Sequence, residues 1–306
     1  MTSRWATVRR WWRRIGATVF VVFVAWELIA FQAWGVDESV LASNERIEIV
    51  DAPSSIQFLP RRPRVAGLIL FPGALVDPTA YAPLVRRAAD AGYPAFLVRL
   101  PLRGFSTDDA TRAAGATAQE LMEAHPGLRW LVAGHSKGGL FACRVASTQP
   151  VQALLLLGTT HPRVFSLSSL ALPVTKVTGS RDGLAGPARV RAAAGNLPPS
   201  TRFVLLEGGN HSQFGYYGFQ LGDWPAAISR EEQQSFLLSV ILGELSALEE
   251  RLPAAEGKLL DALEKLPSAR GELSGGLENL PDVQRELPNA GRTLCDAEKK
   301  LCAALG

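Results

Sequence analysis

From about residue 46 the chain alternates short apolar runs with amphipathic stretches, and this alternation constrains the fold more than any other feature. "VAGLILF" (65–71), "PAFLVRL" (94–100), residues 129–134 and "VQALLLL" (151–157) are largely unbroken apolar runs, as strands covered on both faces must be. "YAPLVRRAADAGY", "TDDATRAAGATAQELMEAH", with Thr107 as its N-cap, and residues 137–148 read as the helices between them. The pattern continues with strand "PVTKVTG" (173–179), helix 184–197, strand "TRFVLLE" (201–207) and a long helix from about 229. Ser229-Arg230-Glu231-Glu232 has the spacing of a capping box at the start of that last helix. Ahead of these, "RIEIV" alternates as a strand with a hairpin partner near "SIQFLP". The expectation is an α/β domain over residues 45–243, a mostly parallel sheet covered by helices on both faces. With 306 residues, 47% hydrophobic and 20% charged, the chain has material for a sizeable core.

The two ends differ from this middle. Arg4, Arg9, Arg10, Arg13 and Arg14 precede "IGATVFVVFVAWELIAFQAWG" (15–35), a run about long enough to cross a bilayer as a helix. The reading is a basic cytoplasmic segment over 1–14 and a transmembrane signal anchor over 15–35, with the domain on the non-cytoplasmic side of the cytoplasmic membrane. Phe31-Gln32 ahead of Ala33 is a poor cleavage site, which sets a cleaved signal and secretion second; an amphipathic surface helix is the third reading. After residue 244 the chain repeats every 14 residues: Leu245, Leu259, Leu273 and Leu287 share one position and Leu252, Leu266, Leu280 and Leu294 another. Pro253, Pro267 and Pro281 break any continuous rod. Residues 244–306 therefore read as a helical amphipathic tail, either for self-association or docking or as a loosely ordered cover. The net charge is only +3 with the basic excess at the N-terminus, which argues against a nucleic-acid surface. Cys143, Cys295 and Cys302 form neither a disulfide framework nor paired metal-ligand spacing.

Between the strand at 129–134 and the helix at 137–148 stands Gly134-His135-Ser136-Lys137-Gly138, a G-x-S-x-G sequence. Small flanking residues let the backbone turn sharply and expose the serine hydroxyl, with a helix N-terminus behind it to favour developing negative charge. A nucleophile elbow of this kind takes its acid and then its histidine later in the chain. Of the four histidines, His125, His135, His161 and His211, only the last two follow Ser136. No Asp or Glu lies between Ser136 and His161, and only Asp182 and Glu207 lie between Ser136 and His211. Glu207 ends a strand four residues before His211, whereas Asp182 sits in the loop right after strand 173–179. The order selects Ser136, Asp182 and His211 as nucleophile, acid and base. His161 follows a strand and could line the site; His135 packs locally and His125 looks structural.

An oxyanion needs backbone donors, and Lys137, the residue after the serine, supplies one. The second should come from "FPGALVD" after strand 65–71; Pro72 has no N–H, leaving Gly73 or Ala74, of which Ala74 is preferred. A Ser-Lys dyad through the Lys137 side chain is disfavoured, because adjacent residues rarely aim their side chains to share a proton.

At these residues the sequence resembles the α/β-hydrolase superfamily, and more specifically a bacterial branch of anchored or exported members. The matching stretches are "FPGALVDPTAYAPL" (71–84) and "GGNHSQFGYYGFQLGD" (208–223), and the resemblance covers about residues 45 to 245. It implies the α/β-hydrolase fold, a serine nucleophile and neither metal nor organic cofactor. The family more often has an aliphatic residue where Lys137 stands; the departure keeps the backbone donor and makes the rim more cationic. The expected activity is hydrolysis of a carboxylic ester or thioester through an acyl-serine. Acyl transfer to an envelope alcohol or amine, and a non-catalytic envelope binding protein, are the alternatives. Only about 15 residues join strand 151–157 to strand 173–179, which leaves no room there for a large cap, and Phe214, Tyr216, Tyr217 and Phe219 are candidates for an aromatic rim.

Overall fold

The computed structural model describes residues 2–251. Its centre is an eight-stranded sheet: β1 (Ile47–Asp51), β2 (Ser55–Pro60), β3 (Ala66–Phe71), β4 (Ala95–Val98), β5 (Arg129–His135), β6 (Ala153–Leu157), β7 (Val174–Gly179) and β8 (Arg202–Leu206), in the order β1-β2-β4-β3-β5-β6-β7-β8. The first hairpin is antiparallel and joins β4 antiparallel; all pairings from β4 through β8 are parallel. Every residue of β3, β4, β6 and β7 is buried, as the continuous apolar sequences of β3, β4 and β6 require of strands with two covered faces, while β7 buries Thr175, Lys176 and Thr178 among its apolar residues. Helices α2 (Ala82–Asp90) and α6 (230–251) pack on one face; α3 (Thr107–Ala124) and α4 (Gly138–Thr148) cover the other.

Three boundaries differ from the sequence reading. Ser106, in extended conformation, is the N-cap residue of α3, and Thr107 is the first helical residue; the Ser106 hydroxyl bonds Asp109 rather than the backbone. The expected helix over 184–197 is reduced to α5 (Pro187–Ala192) and one 3-10 turn. Asp182 Oδ1 accepts the N–H groups of Leu184 and Ala185 in a turn, and the helix begins only at Pro187, which has no N–H to lose at a first position. At the far end the Ser229–Glu232 capping box forms reciprocally, and α6 runs through residue 251. Leu245 and Leu248 are fully buried, so the compact unit built on the sheet extends to Glu250 rather than stopping at 243. The remaining leucine-proline repeats, with Cys295 and Cys302, lie outside the described residues.

The N-terminal segment corrects the expected membrane span. Helix α1 (Thr2–Ala30) stops at Ala30, and the residues that follow dock on the domain: Phe31 is buried against Tyr217, Asp77 N–H bonds the Phe31 carbonyl at 2.7 Å, and Trp34 N–H bonds the Tyr216 carbonyl at 2.7 Å. Residues 31–35, assigned to the anchor from sequence, therefore belong to the globular unit. Arg14 and Glu27 bracket only 12 uncharged residues, about 18 Å of helix against a hydrocarbon core of about 30 Å. Among the described residues no helix is long and apolar enough to cross a membrane.

One charge sits inside the sheet. Lys176, on β7, is fully buried, and its Nζ donates to the His161 carbonyl at 2.6 Å. Burial pulls its ammonium down from 10.5 to about 8. Between those values the unfolded chain holds more protons than the folded one, so this group makes stability rise with pH across the window and costs stability below it. Lys176→Met is expected to stabilise the fold at pH 7 by on the order of 2 kcal/mol. Thermal melts should show the gain shrinking as pH rises from 8 towards 10.5.

Candidate active site

β5 ends in a turn that only small residues permit. A Cβ on Gly134 would collide with the Gly138 backbone, and one on Gly138 with the carbonyl oxygens of Phe71 and Pro72. Between them Ser136 takes φ 52°, a left-handed conformation that is costly for a residue with a side chain. The Ser136 N–H donates to the Leu157 carbonyl at 3.0 Å, tying the turn to the end of β6. Helix α4 begins two residues later, and the Ser136 side chain faces a cavity of about 350 Å³ that His211 also lines.

The other two candidates come from loops after β7 and β8. Asp182 Oδ2 lies 2.9 Å from His211 Nδ1, both side chains being buried. Oδ1 of the same carboxylate accepts the Leu184 and Ala185 N–H groups, so all of its charge is spent on fixed donors. With Nδ1 donating to Asp182, the acceptor nitrogen of a neutral His211 is Nε2. Nε2 is buried and has no hydrogen-bond partner among the described residues. Of the three residues that sequence order selects, Ser136 and His211 line the cavity, and Asp182 contacts His211 at Nδ1.

A second carboxylate, which sequence reasoning gave no role, braces both loops. Asp223 Oδ1 accepts from Gly183 N–H and His211 N–H, each at 3.1 Å, while Oδ2 accepts from the Ser212 N–H and hydroxyl at 2.8 Å. It holds the acid loop to the histidine loop without touching either functional side chain. The available signal was its position closing the "GGNHSQFGYYGFQLGD" stretch.

Tyr81 and His135 form the other unforeseen element. Gly73 N–H donates to the Tyr81 hydroxyl at 3.0 Å, and that hydroxyl shares a hydrogen bond with His135 Nδ1 at 2.7 Å. Gly73 is thereby spoken for, and the loop after β3 offers the next N–H, that of Ala74. Neither Ala74 N–H nor Lys137 N–H donates to a protein acceptor among the described residues. His135 is completely buried, with its centroid 4.6 Å from that of His211 and its ring stacked on Phe214 at 5.0 Å. Burial first, then the neighbouring His211, lowers its basicity well below the ordinary range, so it remains a neutral platform beneath the second imidazole. Phe214 and Tyr217 are therefore core residues supporting the histidine loop and not an exposed rim; Tyr216 is part-buried and Phe219 exposed.

The loop between β6 and β7 has no helix and supplies Gly158, Thr159, Thr160, His161 and Arg163 to the cavity wall. His161 lines the site, as its place after a strand suggested. Cys143 is buried in α4, its thiol pushed up to about 12 by desolvation, and takes no part. Among the described residues no cluster of His, Cys, Asp and Glu is suited to a metal ion.

The sequence matches the alpha/beta hydrolase family over residues 67–235, more than half of the 306. Over 95 residues it is 41% identical to pimeloyl-(acyl-carrier protein) methyl ester esterases of Xanthomonas campestris pv. campestris and Xanthomonas oryzae pv. oryzae. Those alignments cover 30% of this chain and 36% of the esterases, so they span about a third of the relatives' length. Among solved structures, dienelactone hydrolase from Anabaena variabilis superposes with a TM-score of 0.51 at 17% identity, covering 64% of this chain and 97% of that one. That likeness concerns the fold alone.

Removing the Tyr81 hydroxyl leaves a buried N–H and a buried imidazole nitrogen unpaired. Tyr81→Phe is expected to lower unfolding free energy by about 1–3 kcal/mol in urea titrations. Tyr217→Phe, which takes one donor from the His211 carbonyl, is expected to cost less.

Proposed function

This chain belongs to the alpha/beta hydrolase family, and we propose that it is a serine hydrolase that cleaves a carboxylic ester or thioester through Ser136, His211 and Asp182. The observation that carries the reading is the 2.9 Å contact of His211 Nδ1 with buried Asp182, which leaves Nε2 unpartnered at the cavity that Ser136 lines. The partial similarity to methyl ester esterases supports ester over other acyl substrates.

In the proposed cycle His211 Nε2 takes the Ser136 Oγ proton as Oγ bonds to the substrate carbonyl carbon. Asp182 holds the imidazole in the Nδ1–H tautomer and stabilises the imidazolium. The carbonyl oxygen gains negative charge and is received by the N–H groups of Ala74 and Lys137. Collapse expels the alcohol or thiol, which takes the proton from Nε2 and leaves an acyl-serine. Water, deprotonated at Nε2, attacks the acyl carbon; the acid leaves, and Oγ recovers its proton. The rigid neutral ring of His135 keeps His211 from tilting as its charge changes.

Helix α1 supports a place at the cell envelope. Its apolar residues, among them Phe20, Val22, Trp26 and Ile29, are exposed, and arginines precede them. We place the domain on the non-cytoplasmic side, with α1 lying in a lipid surface through this apolar exterior.

A fluorophosphonate probe is expected to label the wild type and not Ser136→Ala; a folded wild type that resists labelling overturns the hydrolase reading. Asp182→Asn should lower kcat by about 10⁴ while the melting temperature shows the protein folded. Protease added to intact cells should degrade the domain, and protection would place it in the cytoplasm.

A further inference from the structure

The cavity over Ser136 carries positive charge with nothing to balance it. Lys137 and Arg163 line it with His161 between them in sequence, and Lys176 lies beneath, its Nζ on the His161 carbonyl. Elsewhere some arginines of the domain pair with carboxylates, Arg64 with Glu249, Arg86 with Asp90, Arg103 with Asp77 and Arg202 with Glu244, and others are capped by backbone carbonyls, Arg181 by that of Pro225 and Arg230 by that of Tyr217. Among the described residues neither Arg163, Lys137 nor Lys176 forms an ion pair, and Lys137 Nζ donates only to the Phe105 carbonyl at 2.9 Å. Asp108, beside the lining residue Thr107, is exposed and pairs with none of them. Asp182 points away, its oxygens committed to His211 and the 184–185 backbone.

We propose that this cavity selects an ester that also carries a negative charge, a carboxylate or a phosphate group, lodged between Lys137, His161 and Arg163. The proposal rests on Ser136 being the nucleophile. His161 is the neutral polar group of the set: burial, then Arg163, Lys176 and Lys137 in that order, push it down to about 4, with no carboxylate opposing them. Its Nδ1 is buried without a partner, and Thr159 Oγ1 accepts the His161 N–H at 3.2 Å, fixing the loop that presents it. An anion here receives charge-assisted hydrogen bonds from Lys137 and Arg163 and a neutral donor from the imidazole. Leu140 and Leu184 line the same cavity, whereas Arg163 is exposed, so salt screens its share of the attraction. A neutral alkyl chain would instead leave Lys137 and Arg163 facing an apolar group.

The test compares three p-nitrophenyl esters of one shape: the glutarate monoester, its isostere 5-methylhexanoate, and the 4-phosphonobutyrate. The expected result is a kcat/KM at least about tenfold higher for one or both anionic esters, the scale of a single charge-assisted hydrogen bond. Which of the two leads separates carboxylate from phosphate recognition. Arg163→Gln should bring the ratio towards one, chiefly through KM, and added salt should move it the same way. A wild-type ratio at or below one, with Ser136 labelled by the fluorophosphonate, overturns this proposal and leaves the hydrolase reading intact. A ratio untouched by Arg163→Gln also overturns it. Should none of the esters turn over, slowing of Ser136 labelling by free glutarate or inorganic phosphate supports the proposal, and the absence of any slowing overturns it. Failure of Ser136 to label at all is the separate failure of the hydrolase reading.

Discussion

The close approach of the β5–α4 turn to the end of β3 is the constraint on which the site depends. Gly138 lies so near the carbonyls of Phe71 and Pro72 that no side chain fits between them. This contact brings the first backbone N–H groups of α4 beside the loop that follows β3, and so sets two independent chain segments to face one point. The parallel pairing of β3 with β5, from Ala66–Arg129 to Phe71–Gly134, delivers both segments at the same edge of the sheet. Ser136 is held in a left-handed backbone conformation by the same geometry; its strain is sustained by the bond of its N–H to Leu157 and by the packed sheet below.

Around that point the charges are divided by depth. The two carboxylates, Asp182 and Asp223, are buried and satisfied by N–H groups, by Ser212 and by His211, so they are fixed dipole-braced anions rather than general surface charge. The cations Lys137 and Arg163 line the cavity and form no ion pair among the described residues. His135 and Tyr81 separate His211 from the core below with neutral groups, and a second imidazolium 4.6 Å from His211 would oppose its protonation. The buried pair thus places no charge beneath the His211 ring.

Much of this was legible because its signals are local or ordinal. The capping box at Ser229, the apolar strands and the G-x-S-x-G turn each declare themselves within a few residues. The pairing of Asp182 with His211 was reachable by elimination, since the chain offers so few acids and histidines after Ser136. Tyr81 and Asp223 were not legible, because their partners are 54 and 11 to 40 residues away and a buried tyrosine or aspartate has no distinctive neighbours in sequence. The apolar run at 15–35 misled for a related reason: hydropathy registers Phe31 and Ala33 as lipid-facing, whereas their contacts with the 216–218 loop and with Asp77 make them part of the globular unit.

By itself the sequence determined the alternation of strands and helices, the sharp turn at Ser136 and the order of the serine, acid and base candidates, since these follow from side-chain periodicity, glycine placement and composition along the chain. Only the tertiary structure decided that Asp182 and His211 touch, that Asp223 braces their loops, that Tyr81 claims Gly73, and that Lys137, Arg163 and Lys176 gather without a counter-charge. Those are distances between residues far apart in the chain, and they exist only once the parallel sheet has brought the loops after β3, β5, β6, β7 and β8 to one edge.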